Sequence, residues 1–157
     1  MIVAVLESVG TKYLSLYGSR YETTPNLVAE SAHALVFDNF YSHLGYTFCS
    51  FMAISSSIHP GLPWCYAPTT ERPPPPSLAS VLRARGYRTV YLQNGDLDWN
   101  GGESWIGKFG YDEVHDYREF GCPLLTSDGA EDRYLIDRLL RWIDRNRGRP
   151  FPKTGAA

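Results

Sequence analysis

The run 2–6, I-V-A-V-L, is wholly apolar and largely β-branched, and it ends abruptly in Glu7-Ser8-Val9-Gly10. Such a run is too short for a helix, and its composition suits a strand buried on both faces, the strand type of a parallel sheet. A carboxylate where that strand emerges puts charge at the carboxyl edge of an open α/β sheet, the edge at which such sheets bind ligands. Glu7 is therefore the first candidate metal ligand.

The remaining pattern alternates in the same sense. Residues 11–17 read as a short helical turn ended by Gly18. Thr24-Pro25 supplies a hydroxyl cap and a first-turn proline for a helix running to about His33. Leu35-Val36-Phe37 reads as a second buried strand, with Asp38 at its end. Phe48, Phe51, Met52 and Ile54 recur at helical spacing, which places Thr47 at or near a helix N-terminus, and Ser55 to Ser57 fray the far end. Residues 60–76 hold seven of the 11 prolines and predict an extended, polyproline-like connection. Ser77 caps a helix over 78–85 that Gly86 closes, and a third strand follows over 87–92. Helix, glycine and strand make half of a βαβ unit. Downstream, the pattern predicts a short helix over 104–109, a weak strand over 113–117, and a last helix over 130–147 capped by Ser127-Asp128. That helix carries an apolar stripe of Leu135, Ile136, Leu139, Leu140, Trp142 and Ile143, and its charges read as the solvated face. After Phe151 an α/β chain should launch another strand, but P-K-T-G-A-A over 152–157 is not one. The expectation is a chain cut short, with a non-native-looking tail.

At 157 residues and net charge −2, with a pI near 6.1, the chain is one domain's worth and carries no basic footprint for nucleic acid. No apolar run approaches the roughly 18 residues of a membrane helix, and the N-terminus lacks signal-peptide features. Cys49, Cys65 and Cys122 show no C-x-x-C spacing and are too odd in number to pair fully, so they read as small buried hydrophobes or surface thiols. His33, His43, His59 and His115 lack metal-motif spacing and read as structural.

Acidic residues at strand ends are natural oxygen ligands of divalent cations, and Glu7, Asp38 and Asp96 qualify by position. Thr47 has two readings. It can be an ordinary hydroxyl cap. Equally, a hydroxyl at a helix N-terminus, bound to a divalent cation, can attack a phosphoryl or sulfuryl centre held by the free N–H groups.

The blocks V-A-V-L-E-S, T-P-N-L at 24–27, F-D-N-F-Y at 37–41, T-F-C-S-F-M-A-I-S-S-S-I-H-P and L-R-A-R-G-Y-R-T-V-Y occur in an order that resembles the sulfatase-like branch of the alkaline phosphatase superfamily. The likeness covers 1–151 but only the N-terminal part of that family's domain. It implies a three-layer α/β/α sandwich, here with an incomplete, mostly parallel sheet. True sulfatases carry a C/S-x-P-x-R motif converted to formylglycine. Cys49-Ser50-Phe51-Met52-Ala53 lacks its proline and arginine, and the helix pattern puts Thr47 at the nucleophile position. A threonine there looks like the lipoteichoic acid synthase and phosphoethanolamine transferase branch. By that resemblance Glu7 and Thr47 would bind a divalent cation (manganese, zinc, magnesium or calcium). Thr47 would take a phospho-group covalently from a small-molecule, lipid or glycan ester and pass it to water or an alcohol. Nothing after Phe151 matches the family's downstream Asp-His pair and histidines, so this chain alone is expected to turn over slowly or not at all. The alternatives are a sulfate-ester hydrolase without formylglycine, or a catalytically dead binding or structural fragment. Family members are often anchored on the outer side of a bacterial membrane by helices that this sequence does not contain.

Overall fold

The computed structural model describes residues 1–42, 45–59, 61, 75–98, 101–123 and 129–147. The polyproline-like stretch lies mostly outside them, as do Ser127-Asp128, His43 and the 152–157 tail. The chain divides into two compact units, Met1–Thr47 and Phe48–Ala157.

In the first unit, two short 3-10 turns, Thr11–Tyr13 and Ser15–Tyr17, end at Gly18, whose φ of 81° is the left-handed conformation glycine tolerates best. Helix α1, Pro25–Ser31, begins on the predicted proline. Thr24, however, does not cap it. Its Oγ1 instead accepts the Ser15 N–H at 3.0 Å, while the Thr24 N–H donates to Ser15 Oγ at 3.0 Å, stapling the turns to the helix start. The two predicted strands are absent. Neither 2–6 nor 35–37 enters a ladder among the described residues. A strand exists only when a neighbour satisfies its N–H and C=O groups. Ile2 and Val5 are 63% and 62% exposed and Leu35 is 81% exposed, so these segments keep strand composition without being buried in a sheet.

The second unit holds the sheet. Strands β1, Val90–Leu92, and β2, Glu113–His115, pair in parallel with Val90 opposite Glu113 and Leu92 opposite His115. Both are shorter than the sequence pattern predicts. Their register is fixed just before the first pair. Asp112 Oδ2 accepts the Thr89 N–H at 2.8 Å and the Thr89 hydroxyl at 3.0 Å, and the Asp112 N–H returns to Thr89 Oγ1 at 3.0 Å. A short helix, Gly102–Ile106, and a 3-10 turn, Gly107–Phe109, make the crossover, as a parallel pair requires.

Three longer helices surround this pair in sequence. Helix α2, Thr47–Ser56, buries Cys49, Met52 and Ser55, spaced three apart along one face. Its Phe48 and Phe51 meet Trp105 edge-on at 4.7 and 5.4 Å between centroids, and Phe51 meets Phe109 at 4.9 Å and Tyr91 at 5.5 Å. Each such pair contributes about 0.5–1.5 kcal/mol beyond area burial. Helix α3, Leu78–Ala84, starts on the predicted Ser77, which forms a reciprocal capping box with Ser80 and donates its hydroxyl to the Phe109 carbonyl. Helix α4, here the crossover helix Gly102–Ile106, places Ile106 fully buried in the core. Helix α5, Asp132–Asn146, follows Glu131 at the N-cap position, whose side chain makes no capping bond. No residue of α5 is buried, and Ile136 and Leu140 of its apolar stripe stay 48% and 53% exposed. Asn94, beyond β1, ties down its start: the Asn94 carbonyl accepts the Ala130 N–H at 2.8 Å and Nδ2 donates to Asp132 Oδ1 at 2.6 Å.

The cysteine expectation is corrected at one position. Cys49 is fully buried and disulfide-bonded, while Cys122 is a free, half-buried thiol. An odd cysteine count excludes complete pairing but leaves room for one bridge. Among the described residues no helix is long and apolar enough to cross a membrane.

Candidate active site

Thr47 is the first residue of α2, and its hydroxyl donates to Glu7 Oε1 at 2.5 Å across a sequence separation of 40. The distance is that of a charge-assisted O–H···O⁻ bond. Both side chains face solvent. Directly after Glu7 the chain turns at Ser8, whose φ of 57° lies in the left-handed region. For a non-glycine residue that conformation costs on the order of 1–2 kcal/mol. Such strain clusters at functional sites, where the surrounding structure holds it.

The donor set is chemically right for a hard cation: one carboxylate and one hydroxyl, both oxygen. It is also small. Among the described residues no group of three or more His, Cys, Asp or Glu is arranged to hold a metal ion. Glu7 and Thr47 therefore fit a divalent cation as part of a coordination sphere.

The other sequence candidates do not join them. Asp38 is exposed and belongs to no such group. Asp96 Oδ1 accepts the Asp98 N–H at 2.8 Å and lies 3.7 Å from Arg118. His33 and His59 enter no ligand group either.

What the sequence reading missed is a second polar cluster, beyond the carboxyl ends of β1 and β2. Asp116 is only 3% exposed. It accepts the Leu97 N–H at 3.1 Å and the Arg118 N–H at 3.0 Å, and Arg118 lies against it at 2.6 Å. Burial works against the Asp116 charge, but Arg118 and the two N–H groups hold its carboxyl below the usual range. Arg118 also reaches Asp98 at 2.5 Å. Its bond lowers the Asp98 carboxyl, and the Asp98 carboxyl in turn raises that of neighbouring Glu103. On β2, His115 sits between Glu119 at 2.6 Å and Glu113 at 3.1 Å, with Arg138 at 3.2 Å. The pattern alone puts Asp116 inside a strand over 113–117; the strand in fact ends at His115, which leaves Asp116 at a strand end with an arginine two residues on.

The sulfatase family model matches residues 1–152. The chain belongs to the sulfatase family. Among solved structures, this sulfatase-family chain is similar to the crystal structure of the lipoteichoic acid synthase LtaP from Listeria monocytogenes. The TM-score is 0.55 at 18% identity, and the match covers 66% of this chain and 26% of that one. The fold is thus the alkaline-phosphatase-like α/β type with an incomplete parallel sheet, as the five sequence blocks implied. The match spans about a quarter of the solved relative's length. Curated proteins yield no match.

Proposed function

We propose that Thr47 is the nucleophile of a phospho-group transfer and that Glu7 positions it. The observation that carries this reading is the 2.5 Å bond between the Thr47 hydroxyl and Glu7 Oε1. In the step proposed, Thr47 Oγ1 attacks phosphorus in a phosphodiester and its proton moves to Glu7 Oε1. The Oγ1–P bond forms as the bond to the leaving alkoxide breaks, and the alkoxide takes a proton from solvent. Water or an acceptor alcohol then attacks the same phosphorus and gives its proton to solvent, as the Oγ1–P bond breaks and Thr47 Oγ1 takes its proton back from Glu7. Glu7 and Thr47 would contribute oxygen ligands to a divalent cation. When bound, such an ion supplies Lewis-acid stabilisation of the transferring group and lowers the hydroxyl pKa. The N–H groups at the start of α2 orient the anionic substrate. A phospho-ester is favoured over a sulfate ester by threonine at the nucleophile position, by the absence of C/S-x-P-x-R, and by the likeness to a lipoteichoic acid synthase.

In a protein carrying a complete family domain, Thr47→Ala should abolish turnover of an aryl phosphodiester with the circular dichroism spectrum unchanged. Undiminished turnover sinks the assignment. Faster hydrolysis of an aryl sulfate than of the phosphodiester would transfer the same residues to sulfate-ester chemistry. A second reading, a binding or structural role without turnover, is favoured by the two-oxygen donor set among the described residues. It predicts equal, background-level rates for the parent and Thr47→Ala.

A further inference from the structure

A groove of about 470 Å³ runs along α5 and is closed on its other side by the turn that carries Glu119 and Phe120. From the helix it is lined by Arg138, Arg141 and Arg145, with Asp144. Spacings of three and four residues put the three arginines on one face. The two acids are already engaged. Glu119 lies 2.6 Å from His115 and 3.9 Å from Arg138, and Asp144 lies 3.2 Å from Arg147. Arg141 bonds only the carbonyl of Asp137 on its own helix, at 3.2 Å, and neither Arg141 nor Arg145 has a carboxylate within ion-pair distance among the described residues. Arg138 adds a buried Nε with no hydrogen-bond partner there. Like charges one helical turn apart repel unless an anion lies between them. The groove also falls within the range of about 300–1,000 Å³ typical of small-ligand sites.

We propose that this groove binds a phosphate group through the guanidinium groups of Arg141 and Arg145, whose planar donor forks match a tetrahedral oxyanion. The site lies wholly within the second unit and is independent of the Thr47 chemistry. Its phosphate can be free or esterified.

The test is titration of the 157-residue chain with inorganic phosphate and, separately, with a soluble dialkyl phosphodiester, followed through the arginine Nε–Hε signals in ¹⁵N spectra. Ionic strength is matched with chloride, so that general screening is common to all samples. Saturable shifts at Arg138, Arg141 and Arg145 are expected; the affinity read from the remaining Arg138 signal should fall at least about tenfold in Arg141→Gln/Arg145→Gln and stay unchanged in Arg133→Gln, which removes an exposed arginine paired with Glu131. Thr47→Ala should leave these shifts in place, which separates the groove from the proposed nucleophile. Saturation by only one of the two probes identifies the form of phosphate taken. Equal affinity in the double variant, or shifts no larger than those produced by chloride, overturns the proposal.

Discussion

The Thr47 hydroxyl donates to Glu7 Oε1 at 2.5 Å, joining the start of α2 to a residue 40 positions earlier. Replacing Glu7 by Gln keeps an oxygen acceptor for that hydroxyl but removes the charge a cation needs. Because Glu7 is exposed, the fold should not change. In a complete domain, calorimetry with manganese should show affinity lower by about tenfold or more, the scale seen when groups supporting a metal site are altered. Unchanged affinity would count against Glu7 as a ligand.

Asp116 is the buried anchor of the second polar cluster, and its removal should be costly. Asp116→Ala strands the Leu97 N–H and leaves Arg118 without its buried counter-charge. The expected loss is about 2–4 kcal/mol, read as a lower urea midpoint. Arg118 is partly exposed, which places the value below that of a fully buried pair. As a control, Arg133→Ala breaks the exposed Glu131 pair and should shift stability by no more than about 1 kcal/mol.

These two clusters differ in how far the sequence alone revealed them. Glu7 and Thr47 were legible because each lies at a boundary with a local signature, the end of an apolar run and the start of a helical period. Ser77 was legible for the same reason, since a capping box is closed by residues three apart. The segments 2–6 and 35–37 were misread because composition reports what a segment would do with neighbours, and pairing is settled by residues far away in sequence. Thr24 shows the limit at short range: its hydroxyl takes the Ser15 N–H, nine residues back, in preference to capping its own helix. Asp116 was not legible as a strand-end carboxylate because the weak strand was read over 113–117, which encloses it, whereas the observed strand ends at His115.

The pH dependence of stability should carry a signature of Glu113. Burial alone would raise its carboxyl, but the Trp142 side chain, His115 and Arg88 beside it outweigh that and hold it down at about 2, against an ordinary 4.5. A depressed carboxyl stabilises the folded state above its unfolded value, and that contribution is lost as pH falls toward the folded value. Stability should therefore decline between about pH 4.5 and pH 2, and Glu113→Gln should flatten that decline. Urea midpoints of both proteins across this range provide the measurement. Parallel curves would show that Glu113 is not the group responsible.

Gly129 meets Asn94 at the point where α5 is tied to β1. Its φ of 148° is one L side chains rarely adopt, and an added Cβ would lie 2.6 Å from the Asn94 carbonyl oxygen. That oxygen is already occupied by the Ala130 N–H at 2.8 Å, so it cannot yield without releasing the helix start. Gly129→Ala should destabilise by about 2 kcal/mol or more, combining backbone strain with the clash. Gly107→Ala is the matched control: φ there is −55° and nothing lies within 4 Å of the added carbon. That change should be neutral or stabilise by up to about 1 kcal/mol through the unfolded chain. Chemical denaturation of the two variants side by side checks the pair. If Gly129→Ala matched Gly107→Ala, the close approach to Asn94 would not be what holds α5 in place.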